Sequence, residues 1–359
     1  MPGLRDEWIG RSKLFELASG IDALYLSGWV ALSPLLCEQL QAGQEAARAT
    51  GEAQPFTFGR AQFEIWPHGL GRYPYRLEHR HGVLQLSPNS NLPPVRVQPR
   101  AEFLHGVGAL SAARWFEDVL VDRCGFTELS VSRVDLHADF QGWRLDGEDR
   151  ERFLCRANAR TTYEEDGRWT GFSFGRRKSG TFSARIYDKT EELRRSKAGY
   201  WEDIWGPGYR RAEQVVRVEF ELAGKALREF ELSTPDEVIA AAGSLWMYMT
   251  DKWLSFRSPS DDATKARWPV APEWESVQRA RIADGAHGLA RMVAGRRRAS
   301  LRGLAPGLVG YIGSFAALVG AEDIGDTCAA LPELLRRYEV LTDRPFADRV
   351  AEKVRRNGL

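Results

Sequence analysis

Short runs in which apolar and polar residues alternate, turn signals between those runs, and a few capped amphipathic stretches predict an α+β fold. The expected architecture is an antiparallel β-sheet, pseudo-duplicated in its order of elements, with flanking helices and a mainly helical C-terminal region. Gly20 to Leu32 reads as the first strand. Pro34 to Thr50 reads as a helix, with Pro34 in its first turn and Leu35, Leu36, Leu40, Ala46 and Ala47 on one side. The runs FTFGRAQFEIW, YPYRLEHRH, GVLQLS and VRVQPRAEFL are separated by His68-Gly69, Gly82 and the Pro88 to Pro94 loop, which describes an antiparallel meander. A helix over Ser111 to Val121, with Ser111 as its cap, and a strand over Leu129 to Phe140 follow.

A second cycle repeats that order, with a helix near Gly147 to Arg160, extended runs over Trp169 to Gly175 and Gly180 to Lys189, and a strand over Val215 to Leu222. Thr234, Pro235, Asp236 and Glu237 form a capping signature ahead of a helix over Val238 to Leu254. The turn-rich stretch SPSDDATKARWPVAP places a domain boundary near Ser258 to Pro272. Beyond it the chain reads as helical, with Pro332 near the start of one helix running to Val340 and Ala347 to Arg356 as the last. The expected organisation is an N-terminal α+β half over 1–125, a second α+β half over 126–257, and a helical region over 273–359.

The chain has 359 residues, 43% hydrophobic and 28% charged, values that exclude a low-complexity, collagenous or mucin-like polymer. Fifty Lys and Arg stand against forty-nine Asp and Glu, so a nucleic-acid surface has to come from local segregation of charge. Cys37, Cys124, Cys155 and Cys328 lie far apart with no CxxC or CxxH spacing, which argues against a zinc module and a disulfide scaffold and fits a reducing cytoplasm. The polar start MPGLRDEWIGRSK reads as no signal peptide, and the apolar stretch Leu301 to Ala321 is broken by Arg302, Pro306 and several Gly, so no membrane partner is expected.

Three strands carry the chemistry. In SRVDLHADF, Val134, Leu136, Ala138 and Phe140 share one face, and Arg133, Asp135, His137 and Asp139 the other. In ARIYDK the polar face holds Arg185, Tyr187 and Lys189; in VRVEFEL it holds Arg217, Glu219 and Glu221. Joined in one sheet, these strands bring a phenol, carboxylates, an imidazole and several cations to one exposed face. That set suits attack on a phosphodiester. A phenol of pKa about 10 needs cations, a metal or a base to become a nucleophile. Arg185 and Lys189 supply charge, while Asp135, Asp139 and Glu219 are hard oxygen donors suited to Mg²⁺ or Mn²⁺. His137 serves as a further ligand or a proton carrier. The same pattern also describes a solvated sheet face with cross-strand ion pairs, with Tyr187 as a packing residue.

The succession SRVDLHADF, GFSFGRRKSGTFSARIYDKTEEL and VVRVEFELAGKAL resembles the Rep_trans replication initiation factor family, the rolling-circle initiators of certain plasmids and filamentous phages. The resemblance spans about Thr127 to Phe230 and lies in an S-R-x-D-x-x-x-D strand, a G-x-x-K-S loop before an R-x-Y-D-K strand, and an R-x-E strand followed by a Lys-Ala pair. It implies a tyrosine that nicks one DNA strand at an origin, becomes joined to the 5′-phosphate and frees a 3′-hydroxyl primer. By motif, Tyr187 is that nucleophile, Asp135, Asp139 and Glu219 are metal ligands, and Arg185, Lys189 and Arg217 lie near the phosphate. An HUH metal motif is absent: His79-Arg80-His81 has a charged middle residue and reads as an exposed strand pair.

Between Gly171 and Lys197 eight Lys or Arg face three acids. The loop Arg176, Arg177, Lys178, Ser179 offers cations and a hydroxyl to phosphate oxygens, and Arg296, Arg297 and Arg298 form a second basic cluster. Tyr163, Trp169, Trp201 and Trp205 are candidates for stacking on unpaired bases or for the core. The expected partners are plasmid or phage origin DNA, duplex and locally single-stranded, a second copy of the chain, and a replicative helicase. Two rival readings stay open: a sequence-specific DNA-binding protein without nicking activity, and an enzyme of a small phosphorylated metabolite.

Overall fold

A computed structural model describes residues 14–89, 91–125, 128–177, 180–196, 199–284, 286–287, 289, 301–342 and 344–357. The chain divides into two compact units, Met1–Ala290 and Arg291–Leu359. In the first unit the strands are β1 (Phe15–Gly28), β2 (Gln54–Phe58), β3 (Ala61–Ile65), β4 (Tyr75–His79), β5 (Gly82–Leu86), β6 (Val95–Pro99), β7 (Leu129–Gln141), β8 (Phe153–Cys155), β9 (Arg160–Glu165), β10 (Arg168–Gly175), β11 (Phe182–Asp188), β12 (Val215–Ala223) and β13 (Leu254–Phe256). Eleven of them form one antiparallel sheet in the order β2-β3-β4-β5-β6-β1-β7-β12-β11-β10-β9, and β8 pairs with β13 apart from it. The order mirrors itself about the β1–β7 pair: each long strand pairs with the last strand of its own half, and the meander runs outward from there. The α+β class and the duplicated order are therefore as expected.

Helix α1 (Pro34–Thr50) begins and ends where the sequence places it; Ser33 accepts from the Leu36 amide, Pro34 occupies the first turn, and Gly51 closes the helix at φ 75°. Helices α2 (Ala101–Val107) and α3 (Ala109–Cys124) meet at Gly108, whose φ of 84° a side chain would resist, so the turn falls at Gly108 and Ser111 lies inside α3. The strand β7 is the pivot of the fold. Its even-numbered face contributes Val134, Leu136, Ala138 and Phe140 to the main core beside Val216, Val218, Phe220 and Leu222 of β12. Phe220 meets Trp246 edge-on at 5.2 Å on that side.

Two expected helices are shorter than read. Gly147–Arg152 forms a short 3₁₀ helix capped by Asp146, after which Phe153 extends into β8 and enters an aromatic cluster with Phe172, Phe174 and Phe256. Burying that ring against the sheet outweighs the local helical pattern. Between β11 and β12 lie α4 (Lys189–Ser196) and α5 (Tyr200–Trp205), and after β12 come α6 (Gly224–Glu229), α7 (Pro235–Ala240) and α8 (Ala242–Tyr248). The capping box of Thr234 and Glu237 is made, worth about 1 kcal/mol. The expected helix over Val238 to Leu254 breaks at Ala241 and ends in a wider turn, Met249–Trp253, before β13. At Gly243 a Cβ would lie 2.4 Å from the Ile282 carbonyl, so the chain around Ile282 approaches the α8 backbone closely.

The stretch expected as a linker belongs to the first unit. Ser258 N donates to the Pro269 carbonyl, Ala271 N to that of Phe256, and helix α9 (Pro272–Gln278) buries Trp274. The second unit holds α10 (Leu301–Val319), α11 (Ile324–Thr342), which includes Pro332 in its interior, and α12 (Phe346–Asn357). Among the described residues no single helix is long and apolar enough to cross a membrane; the bent pair formed by Leu308–Val319 and Ile324–Val340 reaches that length and apolarity only together. All four cysteines are free.

Candidate active site

The register of three adjacent strands assembles the site. Across β7, β12 and β11, Asp139 stands opposite Arg217 and Arg217 opposite Tyr187. One step along, His137 faces Glu219 and Glu219 faces Arg185; the next step sets Asp135 against Glu221 and Glu221 against Ser183. The residues expected to meet do meet. Their face, however, is covered where Asp139, Arg217 and His137 lie, while Arg185 and Tyr187 stay partly exposed. Trp201 and Trp205 of α5 close over it with Leu17, Ala18 and Val215 in a small second core. A strand face bearing ionisable groups can be buried only if each charge finds a partner, and the pairing that results explains the local sequence.

Arg217, at 0% exposure, forms the centre. Its Nε and Nη2 donate to the two Asp139 oxygens at 2.6 and 2.7 Å, its Nη1 donates to Asp22 Oδ1 at 3.1 Å, and its guanidinium lies 3.9 Å from the Trp201 ring. Trp205 Nε1 adds a 2.7 Å bond to Asp139. Arg217 was expected at a DNA phosphate; its donors are instead spent inside the protein. Burial opposes the charge on Asp139, but Arg217 holds that carboxyl below its ordinary range. The same contest, decided by Arg217 and by the contact with His105, depresses Asp22.

Tyr187 is half-buried, and its hydroxyl donates to Glu219 Oε2 at 3.1 Å while Arg185 Nη2 donates to Glu219 Oε1 at 2.5 Å. The Arg185 guanidinium lies 5.0 Å from the phenol ring and the Lys189 ammonium 6.0 Å from it. Burial and the Glu219 charge hold the phenol well above 10, against the pull of Arg217 and Arg185. Lys189, 6% exposed, pairs with Glu192, and burial and Arg217 lower its ammonium. Gly171 of β10 sits opposite Tyr187, where a Cβ would come within 3.0 Å of the tyrosine Cβ, so this glycine clears the space that Tyr187 occupies.

Asp135 is gripped through both oxygens by Arg133, which also reaches Glu221 at 3.0 Å; Arg177 approaches the same Glu221 oxygen at 3.3 Å. Burial, with the Glu219 and Glu221 charges, pushes the Asp135 carboxyl up to about 7 despite Arg133. His137 is wholly buried, and neither ring nitrogen has a hydrogen-bond partner. Burial, then Arg217, pushes it down to about 3, so it is a neutral imidazole.

The three carboxylates expected as metal ligands are thus each met by a guanidinium: Asp135 by Arg133, Asp139 by Arg217, Glu219 by Arg185. Among the described residues, the acid and imidazole ligand atoms that converge are those of Asp22, His105 and His137. Asp22 and His105 were not legible as site residues. Asp22 lies at a bulge in β1, where the register against β7 shifts between Ile21 and Ala23, and His105 is in the last turn of α2. The available signal for Asp22 was a lone acid within the apolar run IDALYL.

Arg176 and Arg177 are exposed at the turn between β10 and β11. Lys178, Ser179, Arg296, Arg297 and Arg298 lie outside the described residues. Trp169, Trp201 and Trp205 are buried and Tyr163 is 52% exposed, which leaves Tyr163 as the available stacking surface of the four. His79 and His81 are not an exposed pair: His79 stacks on Trp115 and His81 on Phe103, with centroids 4.8 and 3.9 Å apart.

Comparison with protein-family profiles returns no match, and comparison with curated proteins returns none. Among solved structures, the chain is similar to a rolling circle replication initiator protein from Geobacillus stearothermophilus, at 17% identity and a TM-score of 0.42, covering 75% of this chain and 98% of that one.

Proposed function

We propose that the protein is a rolling-circle replication initiator that nicks one strand of origin DNA with Tyr187. The observation that carries this reading is the Tyr187 hydroxyl bonded to Glu219 beside Arg185, in the strand order in which the sequence motifs resemble the initiator family. A phenol held above its ordinary pKa keeps its proton at rest, so its nucleophilicity has to be developed during attack. Glu219 is placed to take that proton. As the Tyr187 Oη–phosphorus bond forms, the bond from phosphorus to the 3′-oxygen breaks, the phenol proton passes to Glu219, and the departing oxygen takes a proton from solvent. The product is a 5′-phosphotyrosine and a free 3′-hydroxyl. Arg185, on the same carboxylate, supplies positive charge beside the reacting phosphate, and Arg176 and Arg177 offer exposed cations to the backbone beyond it.

Mg²⁺ or Mn²⁺ belongs to this reading as an ion that neutralises phosphate charge. Asp135, Asp139 and Glu219, each closed by a guanidinium, do not fit a shared cation as they stand, and the attack by Tyr187 is not routed through one. The reading places the protein in the cytoplasm with its replicon, acting on locally melted origin DNA as a homodimer beside a replicative helicase.

One observation favours a second reading, a DNA-binding protein that does not nick: the charges of the buried face are matched among themselves. Incubation with supercoiled DNA of its own replicon and each metal, followed by denaturing electrophoresis and peptide mapping, separates the two. A DNA 5′ end linked to Tyr187 is the expected result. Tight binding with no covalent product would replace the first reading by the second.

A further inference from the structure

We propose that Asp22, His105 and His137 bind a divalent transition-metal ion of the Mn²⁺, Co²⁺ or Zn²⁺ type in preference to Mg²⁺. One ligand atom from each lies within 4.8 Å of the others. They come from three elements: the bulge of β1, the last turn of α2 and the middle of β7. The second observation is His137 itself. Its side chain is fully buried, and both ring nitrogens lack a hydrogen-bond partner. A buried polar group left unmatched costs free energy that an apolar side chain of similar size would avoid. A coordinate bond to one nitrogen supplies the missing partner.

The surroundings orient both imidazoles. Trp201 meets His105 and His137 edge-on at 4.7 and 5.4 Å, and the two imidazole rings stand 5.3 Å apart at 85°. The Asp22 and His105 side chains keep 20% and 14% of their surface, so an ion has a route in and room for water in its remaining positions. Arg217 is the cation that faces the cluster, through Asp22 Oδ1, and its charge is answered by both Asp139 oxygens. Lys189, the other nearby cation, is answered by Glu192. Two imidazoles and one carboxylate suit first-row transition ions, which accept mixed nitrogen and oxygen donors with affinity rising from Mn²⁺ to Co²⁺, whereas Mg²⁺ prefers an octahedron of oxygens. The inference does not depend on Tyr187 being a nucleophile.

Calorimetric titration of the full chain, stripped with chelator, tests it with Mn²⁺, Co²⁺ and Mg²⁺ as probes. One Mn²⁺ or Co²⁺ per chain is expected, with Mg²⁺ weaker by about tenfold or more. Bound Mn²⁺ should show nitrogen couplings in pulsed electron paramagnetic resonance. His137→Ala and Asp22→Asn should each weaken Mn²⁺ by about tenfold or more. His105→Ala, at the solvent edge, gives the same test if the His137 variant fails to fold. Mg²⁺ binding as tightly as Mn²⁺, bound Mn²⁺ without nitrogen coupling, or unchanged affinity in the folded variants would each overturn the proposal. DNA nicking is not a readout here, so failure of the nickase reading and failure of this site remain distinguishable.

Discussion

The two halves of the sheet use one scaffold for different ends. In the second half, Tyr187, Arg217 and Asp139 stand in register across β11, β12 and β7. The corresponding file in the first half, across β5, β6 and β1, is Gln85, Arg96 and Ser27. The parallel extends to sequence, since β6 reads VRVQP where β12 reads VRVEF. Where Glu219 takes the Tyr187 hydroxyl, Gln98 donates its amide to the Tyr25 hydroxyl at 3.0 Å. Backbone geometry alone therefore does not make the site. The difference lies in acids: the first half has an amide and a hydroxyl where the second has Glu219 and Asp139, and its arginine stays partly exposed over Tyr25 while Arg217 is sealed in.

The sharpest way to break this contrast is at the two register-matched positions. Tyr187→Phe removes one oxygen and should abolish the covalent DNA adduct while leaving DNA affinity within about twofold, because the phenol is not a phosphate-binding cation. Gln85→Leu should leave adduct formation intact. Adduct in the first variant or loss in the second, scored on the same denaturing gel, would end the assignment of function to the second half.

Stability should divide the halves next. Asp139→Ala strips Arg217 of its two-oxygen partner and leaves Trp205 Nε1 unbonded, an expected loss of about 3–5 kcal/mol. Ser27→Ala at the matching place should cost within about 0.5 kcal/mol. Urea unfolding of both variants measures this; similar midpoints would show that the buried network is not what distinguishes the halves.

Much of this was legible in the sequence because period-2 strands announce their faces directly. SRVDLHADF, ARIYDK and VRVEFEL showed which residues share a face, and antiparallel pairing did the rest. What they could not show was the cover. Trp201 and Trp205 belong to a short helix after the β11 strand, and nothing local says that it folds back over the charged face, so Arg217 reads as a DNA contact when it is an interior ion-pair centre. Asp22 was hidden by the bulge, which shifts a residue out of the alternation on which the reading depends. Likewise Phe153 looked helical because its helical neighbours are local, while the aromatic partners that pull it into β8 are distant.

The finest expected difference is in pH dependence, and it isolates one carboxyl. Asp135 is held up to about 7 in the folded protein by burial and by Glu219 and Glu221, against about 3.9 in an unfolded chain. The native state then binds the proton more tightly than the unfolded state. Its contribution to stability is fully present below about pH 4 and is lost as the pH rises toward 7. His137, depressed to about 3, acts in the opposite sense: its contribution is present above the ordinary imidazole pKa and lost as the pH falls toward 3. The wild-type curve alone therefore mixes two trends. Asp135→Asn keeps the shape of the neutral acid and retains His137, so the difference between variant and wild type, in chelator at pH 5 and pH 8, removes the histidine. Between those pH values the wild type should lose about 1 kcal/mol or more relative to the variant. Parallel curves would mean that Arg133 keeps Asp135 ionised across the range, and the second half would then hold its acids by ion pairing alone.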